Sequence, residues 1–166
     1  MIFTDIPAGT GVFVDANTLV YHFAADPQFG PPCTELVKRI ERKELLGFAS
    51  THVLSDVAHR LMTVEAMLLF GWPAASIAQR LRRRRAEIPK LTRFRQAVDE
   101  VPLMGLQVLP VALPQVSVAA ALSQQYELLS GDALIVAVMQ AHGLTQLASH
   151  DADFDRVSWL TRYTPV

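Results

Sequence analysis

Short apolar runs separated by stretches of helical spacing are the feature that most constrains the fold of this chain. Four runs have the length and residue types of buried strands, at residues 11–14, 46–49, 106–111 and 144–149. Strands that alternate with helices pair in parallel through right-handed crossovers. The sequence therefore predicts an α/β fold in which helices flank a central parallel sheet. Residues 161–166 have the pattern of a further strand, so the sheet has four or five strands.

One helix of this pattern has clear signals at both ends. Ser50 and Thr51 supply an N-cap directly after the second strand, and Gly71 follows a stretch that extends to about Phe70. Its apolar residues recur at helical spacing, which predicts a stripe that packs against the sheet. The stripe consists of Leu54, Val57, Ala58, Leu61, Val64 and Leu68.

Length and composition indicate one folded domain. The chain has 166 residues, 51% of them hydrophobic, which suits a single core over residues 1–166. The longest uninterrupted apolar run, residues 133–139, is far shorter than the roughly 20 residues that a bilayer helix needs. The first residues lack the pattern of a signal peptide, so we expect a cytoplasmic protein without membrane contact. Cys33 is the single cysteine, which excludes an intrachain disulfide and a thiolate metal cage.

Basic residues are concentrated in one segment, although the net charge is only -1. Eight of the 15 lysines and arginines lie between Arg80 and Arg95. We expect residues 72–100 to form a helical, arginine-rich arm of the same domain, kinked or ended at Pro89. Such a run is commonly a solvated helix face, and its functional interpretation is contact with phosphates. The candidate RNA-binding residues are Arg82, Arg83, Arg84 and Arg85.

Four carboxylates stand where a parallel sheet places its ligands, beyond the carboxyl ends of the strands. Asp15 follows the first strand directly, and Asp151 lies two residues after the fourth. Asp132 falls in the first turn of a helix, and Asp56 lies on the helix that follows the second strand. We therefore expect these side chains, which are distant in sequence, to converge at one edge of the sheet.

Carboxylates at close range repel one another, and a divalent cation removes that cost. A site built from oxygen ligands suits Mg²⁺ or Mn²⁺ rather than zinc. Bound in this way, such a cation supports phosphodiester hydrolysis by an activated water. The spacing of the acids alone is a weak signal, because strand-end acids are common in α/β proteins.

The residues around these acids carry a family resemblance. The segments VDANTLVYHF, ASTHVLSDVAHRL, SGDALIVAVMQAHG and LASHDADFDRV occur in that order. Together they resemble the PIN-domain family, especially the VapC-type toxin ribonucleases, over nearly the whole chain. The matching positions are Asp15 with Asn17, Ser50 with Asp56, Asp132 with the following Ala133 and Ile135, and Ser149 with Asp151, Asp153 and Phe154.

The resemblance implies a Mg²⁺- or Mn²⁺-dependent endoribonuclease, the toxin of a type II toxin–antitoxin pair, in which metal-activated water attacks RNA. It implies that Asp15, Asp56, Asp132 and Asp151 are catalytic and, with Asp153, surround the metal. Asn17, Ser50 and Ser149 would orient ligands or waters by hydrogen bonds. The implied partners are an RNA substrate, an antitoxin protein and a second copy of the chain. The family's helix acid is usually Glu, and the shorter Asp56 is expected to reach the metal through water.

Other functions remain open at this stage. The shorter acid at position 56 favours a PIN-like module that binds RNA or protein with weak or no nuclease activity. His52, Asp56 and His59 have the spacing of one helix face, which is compatible with a transition-metal site. A phosphorelay receiver is disfavoured because no lysine follows Lys90, and a haloacid-type phosphatase because Asn17 stands where its second Asp would be.

Overall fold

A five-stranded parallel sheet forms the centre of the computed structural model, which describes residues 1–166. The strands are β1 (Gly11–Val14), β2 (Leu46–Ser50), β3 (Gln107–Leu109), β4 (Gln146–Ala148) and β5 (Thr161–Tyr163). Their order across the sheet is β3-β2-β1-β4-β5, and every neighbouring pair is parallel. The predicted α/β fold is confirmed, with five strands rather than four.

Seven α-helices connect and cover the strands. They are α1 (Ala16–Phe23), α2 (Gly30–Glu41), α3 (Thr51–Phe70), α4 (Ile77–Arg83), α5 (Arg93–Leu103), α6 (Leu113–Tyr126) and α7 (Ser130–Ala141). Short 3-10 turns occur at Phe3–Asp5, Arg85–Lys90 and Ala152–Arg156. None of the helices combines the length and apolar character that crossing a bilayer requires.

The central strand explains why its sequence is apolar without alternation. Val12, Phe13 and Val14 of β1 are fully buried, because helices cover both faces of a parallel sheet. Phe13 lies opposite Phe48 of β2 and Leu147 of β4 in the ladder. β1 is thus fixed on both sides, and the residue that follows it is held in a rigid position.

The strand order places a crevice at a defined point. From β1 the chain passes outward through β2 to β3 on one side, and then returns to β4 and β5 on the other. In open parallel sheets, ligands bind beyond the carboxyl ends of the strands where the order reverses. Here that point lies between the ends of β1 and β4, after Val14 and Ala148.

Helix α3 begins as the sequence predicts and diverges from the prediction near its end. The Ser50 Oγ accepts a hydrogen bond from the Val53 N–H at 3.2 Å, which confirms the N-cap. Leu68, predicted to lie in the core stripe, is 64% exposed, so that assignment is wrong. The last turns of α3 instead bury Ala66 in a second, smaller core. The buried side of α3 therefore packs in the main core in the first turns of the helix and in the second core in its last turns.

The arginine arm (residues 72–100) contains more structure than one kinked helix. Helix α4 ends at Arg83, Pro89 lies within a 3-10 turn, and α5 then begins at Arg93. Trp72, Ile77, Leu81 and Leu91 pack with Ala66 in the second core. In α5, Ala97 and Val101 are fully buried in the main core. The start of the arm therefore has its own small core, and its end joins the sheet domain.

Candidate functional site

A polar cleft opens at the carboxyl edge of the sheet, beside the ends of β1 and β4. Its volume is about 360 Å³. Residues from the ends of these two strands and from α1, α3 and α7 line it: Asp15, Asn17, Tyr21, His52, Asp56, Arg60, Gly131, Asp132, Ile135, His150, Asp151 and Ala152. We call it the carboxylate cleft. All four carboxylates predicted to converge at one sheet edge therefore line the same cavity.

Asp15 is held in place by hydrogen bonds to both carboxylate oxygens. Its Oδ1 accepts from the Ala16 N–H at 2.6 Å, and its Oδ2 accepts from Asn17 Nδ2 and Ser149 Oγ, both at 2.7 Å. Burial raises the pKa of Asp15, and the hydrogen bonds from Ser149 and Ala16 oppose that rise. The side chain is thus oriented before any ligand binds.

Ser149 and Asn17 join the two strand ends into one hydrogen-bonded unit. Ser149 Oγ donates to Asp15 and accepts from the Asp151 N–H at 3.0 Å. Asn17 Oδ1 accepts from the His150 N–H at 3.2 Å. The loop that carries Asp151 is therefore tied to the residues that follow β1, about 130 positions earlier in the chain.

Three carboxylates form the densest negative cluster of the molecule. Oxygen atoms of Asp132, Asp151 and Asp153 all lie within 4.8 Å of one another. Burial, followed by the charges of Asp151, Asp15 and Asp153, raises the pKa of Asp132 to about 6, while Arg60 opposes the shift. Without a compensating cation, Asp132 therefore takes up a proton at a higher pH than an ordinary aspartate.

The donor set of this cluster fits a hard divalent cation. It consists of carboxylate oxygens, which Mg²⁺ and Mn²⁺ prefer, and no cysteine lines the cleft. A cation at that position would oppose the effects of burial and of the neighbouring carboxylates, which together raise the pKa of Asp132. Asp153 also pairs with Arg156 at 3.2 Å, at the outer side of the cluster.

The loop beyond the cluster is fastened by the last strand. Arg162 of β5 donates to both carboxylate oxygens of Asp155 at 2.8 Å and to the Ser149 carbonyl at 3.2 Å. Its hydrogen bond lowers the pKa of Asp155. Asp155 thus has a structural partner outside the cleft, whereas Asp151 and Asp153 lie in the cluster.

Two predicted site residues of the second strand and its helix occupy different positions. Asp56 lines the cleft from α3 but is not one of the three clustered carboxylates. Ser50 is fully buried, and its Oγ caps α3 rather than touching a carboxylate. His59, grouped with His52 and Asp56 by its spacing, lies in the neighbouring groove, so the three side chains do not share one cavity.

Arg60 is a cleft residue that the sequence analysis does not single out. It lies one turn after Asp56 on α3, and its side chain has no carboxylate oxygen within 4.0 Å. Its charge lowers the pKa of Asp15 and Asp132, against the burial that raises both. The spacing of His52, Asp56 and Arg60, four residues apart each time, was the available signal. Tyr21 and His150 also line the cleft and were not predicted.

The arginine run does not line the carboxylate cleft. Arg82, Arg83, Arg84 and Arg85 are all exposed, and none pairs with a carboxylate. The Arg84 guanidinium lies 5.7 Å from the centre of the Trp72 ring. Arg82 and Arg85 border a groove that also contains His59. The groove and the carboxylate cleft have no lining residue in common, although His59 of the groove and Arg60 of the cleft are consecutive on α3.

Comparison with known proteins agrees with this geometry. The PIN domain family matches residues 12–160. Ribonuclease VapC2 of Methanocaldococcus jannaschii is 26% identical over 153 residues, which is 90% of each chain.

Solved structures show the same fold at lower identity. VapC20 of Mycobacterium tuberculosis, described as a Sarcin-Ricin loop cleaving toxin, has a TM-score of 0.59 and 18% identity, covering 88% of this chain and 94% of its own. VapBC2 of Rickettsia felis, solved bound to a promoter DNA fragment, gives 0.58 and 14%, covering 93% and 98%. The resemblance drawn from the four sequence segments is confirmed, and the chain belongs to the PIN domain family.

Proposed function

We propose that this chain is a Mg²⁺- or Mn²⁺-dependent endoribonuclease that hydrolyses RNA phosphodiester bonds, and that it is the toxin of a type II toxin–antitoxin pair. The observation that carries the proposal is the approach of Asp132, Asp151 and Asp153 to within 4.8 Å in the cleft that Asp15 also lines. A divalent cation would offset the repulsion within a cluster of this charge. The relative named ribonuclease VapC2 supports the same activity.

In this proposal the cation is held by Asp132, Asp151 and Asp153 with Asp15, and Asp56 acts through water. The bound cation would lower the pKa of a coordinated water and offset the charge of the phosphate. Asn17 and Ser149 orient the carboxylates of β1 and β4 through the hydrogen bonds described above.

In this proposal Ser50 supports the site indirectly. By capping α3 it fixes the start of the helix that presents Asp56 and Arg60 to the cleft. Arg60 has no carboxylate partner within 4.0 Å, so its guanidinium is free to hold a phosphate oxygen. The side of the cleft formed by α3 therefore supplies a positive charge opposite the acids.

RNA would reach the cleft along the arginine arm. Arg82, Arg83, Arg84 and Arg85 present four exposed charges without a carboxylate partner, and Arg82 and Arg85 line the groove that contains His59. Contacts of this kind bind the phosphate backbone without regard to sequence, and they weaken as salt is added. An antitoxin and a second copy of the chain are the proposed protein partners. A toxin–antitoxin complex from Klebsiella pneumoniae, similar in fold with a TM-score of 0.55 and 18% identity, supports the first of these.

One observation favours a second function, a PIN-like module that binds RNA or protein with little or no cleavage. Asp56 is one methylene shorter than the usual Glu and lies outside the three clustered carboxylates. If the Asp56 carboxylate is too far from the cation to take part in hydrolysis, the cleft would still attract a cation and RNA. Binding would then persist while hydrolysis is weak.

Incubation of purified protein with RNA and Mg²⁺ or Mn²⁺ separates these functions. We expect endonucleolytic fragments that disappear with EDTA and in Asp15→Asn, while the matched variant Asp99→Asn, an exposed acid on α5, cleaves normally. Cleavage that survives in Asp15→Asn would contradict the assignment of the activity to this cleft. Binding without cleavage by the unaltered protein would favour the module.

A further inference from the structure

Three aromatic rings pack together at one end of the carboxylate cleft. The ring centres of Tyr21 and Phe29 are 5.0 Å apart, those of Phe29 and His150 are 4.5 Å apart, and those of Tyr21 and His150 are 6.1 Å apart. Tyr21 comes from α1, Phe29 precedes α2, and His150 follows β4. The three rings thus meet from separate parts of the chain, and Tyr21 and His150 line the cavity.

The rings are held by packing and backbone contacts, and their polar atoms are left free of protein partners. Neither the Tyr21 hydroxyl nor the His150 ring makes a hydrogen bond, and the buried His150 Nδ1 has no partner. The His150 N–H donates to Asn17, and the Phe29 N–H donates to Asp26 at 2.7 Å. The backbone is therefore fixed, and the three side chains are half-buried, so part of each ring surface is accessible to a ligand.

The rings and the acids share one cavity. Tyr21 and His150 line the cleft together with Asp132 and Asp151, and His150 directly precedes Asp151 in the sequence. A base that adjoins a phosphate held at the cluster would therefore lie in the same cavity as these rings. The rings offer aromatic faces, on which a base can stack.

We propose that Tyr21, Phe29 and His150 form a subsite for a nucleobase next to the scissile phosphate, an inference that rests on the proposed RNA-directed function. The arginine arm supplies contacts to phosphates, which carry no base information. The aromatic subsite adds a contact to the base itself, through stacking that accepts any base. It thereby helps to position the nucleotide that adjoins the phosphate at the carboxylates.

The test uses short oligoribonucleotides in which one nucleotide on either side of the cleaved bond is replaced by an abasic residue. Cleavage efficiency and the dissociation constant are measured for the full-length protein in Mg²⁺. We expect the abasic change on one side to lower kcat/KM or affinity roughly 5- to 100-fold, the range of one base–aromatic stack. The same change on the other side is expected to have a smaller effect.

Variants of Tyr21 then assign the effect to the rings. Tyr21→Leu should lose a similar factor on normal RNA and show no further loss with the abasic strand, because the two changes remove the same interaction. Tyr21→Phe keeps the ring and should retain the full abasic effect. Mg²⁺ affinity and thermal stability, measured for each variant, separate loss of stacking from loss of fold.

The outcomes distinguish this inference from the proposed function. Equal activity and equal affinity on normal and abasic strands for the unaltered protein would overturn the subsite even if RNA is cleaved. If no RNA is cleaved, an abasic effect on the dissociation constant still supports the subsite, and its absence overturns it. If Tyr21→Leu does not fold, His150→Leu takes its place, and an abasic effect undiminished in that variant also overturns the subsite.

Discussion

The carboxyl edge of the sheet and the arginine arm differ in how firmly their functional side chains are held. At the sheet edge, Asp15 accepts three hydrogen bonds from neighbours that are themselves bonded. On the arm, Arg82 and Arg83 are exposed, with no carboxylate partner. Chemistry requires atoms fixed to a fraction of an ångström, whereas attraction of a polyanion requires only charge. Under the proposed function, the molecule thus separates precise positioning at the sheet edge from electrostatic attraction along the arm.

Removing one of the clustered carboxylates should have the largest effect on RNA cleavage, and it tests the role of the sheet edge most directly. Asp151→Asn keeps an oxygen that can accept the hydrogen bond from the Asp153 N–H, now 2.9 Å long, and removes one charge. We expect RNA cleavage to fall about 100-fold or more, since removing a metal ligand should cost more than removing a residue that only supports one. Rate measurements under excess Mg²⁺ check this, and near-normal cleavage would remove Asp151 from the metal site.

Removal of a supporting hydroxyl should produce the next largest effect. Ser149→Ala deletes the donor to Asp15 and the acceptor for the Asp151 N–H. We expect Mg²⁺ affinity or activity to fall about 10- to 100-fold. Ser117→Ala removes an exposed hydroxyl bonded within α6 and serves as the control. Equal metal affinity in both variants would show that the sheet edge does not depend on this network.

The arm should respond differently from the sheet edge. Replacing Arg82, Arg83, Arg84 and Arg85 by Gln is expected to weaken RNA binding roughly tenfold at low salt. The slope of log Kd against log salt should fall by about 0.7 for each RNA phosphate that the variant no longer neutralises. Cleavage at saturating RNA should change little. Titrations at several salt concentrations provide the measurement, with the exposed pair Lys38→Gln and Arg42→Gln as control.

An unchanged salt slope in the arm variant would return the arginines to the role of a solvated surface. A fall in the cleavage rate at saturating RNA would instead indicate that the arm helps to form the active site. Either result would contradict the separation between a sheet edge that positions reacting groups and an arm that only attracts RNA.

The smallest expected effect concerns the stability of the metal-free protein. A carboxyl whose pKa is raised from 3.8 to about 6 in the folded state destabilises that state at neutral pH. Asp132→Asn should therefore stabilise the fold in EDTA at pH 7.5. Because Asp132 is only half-buried, we expect about 1 kcal/mol, which raises Tm by roughly 2–4 °C for a chain of this size.

The stabilisation of the fold by Asp132→Asn should depend on pH. As the pH falls through about 6 towards 4, the wild-type carboxyl takes up its proton and the cost of its charge disappears. Thermal melts should then show the advantage of Asp132→Asn shrinking. A constant or growing advantage at low pH would contradict the raised pKa.

The sequence could predict the site where the backbone alone determined its position. Asp15, Asp132 and Asp151 stand beside strand ends or a helix start, so a parallel sheet brings them to one edge whatever the packing of their neighbours. Arg60 could not be placed in this way, because its cleft-facing position depends on the rotation of α3 about its axis. Leu68 was misplaced for the same reason, since the second core turns the end of α3 away from the sheet.

Helix α1 illustrates another limit. It begins directly after Asp15, without the loop that usually separates a strand from its helix, so no turn residues in the sequence indicate where it starts. The carboxylate that lines the cleft also caps this helix by accepting from the Ala16 N–H. Tyr21 lies on α1, and its place beside His150 was therefore not accessible to sequence reasoning.

The hydrogen bond between Ser149 and Asp15 spans 134 positions of the chain. During translation, Asp15 is therefore synthesised long before Ser149, the residue that orients its carboxylate. The cleft comes into existence only when translation has passed the fourth strand and the growing product folds around it. Products released before Asp151 and Asp153 have been synthesised would lack the complete cluster of carboxylates.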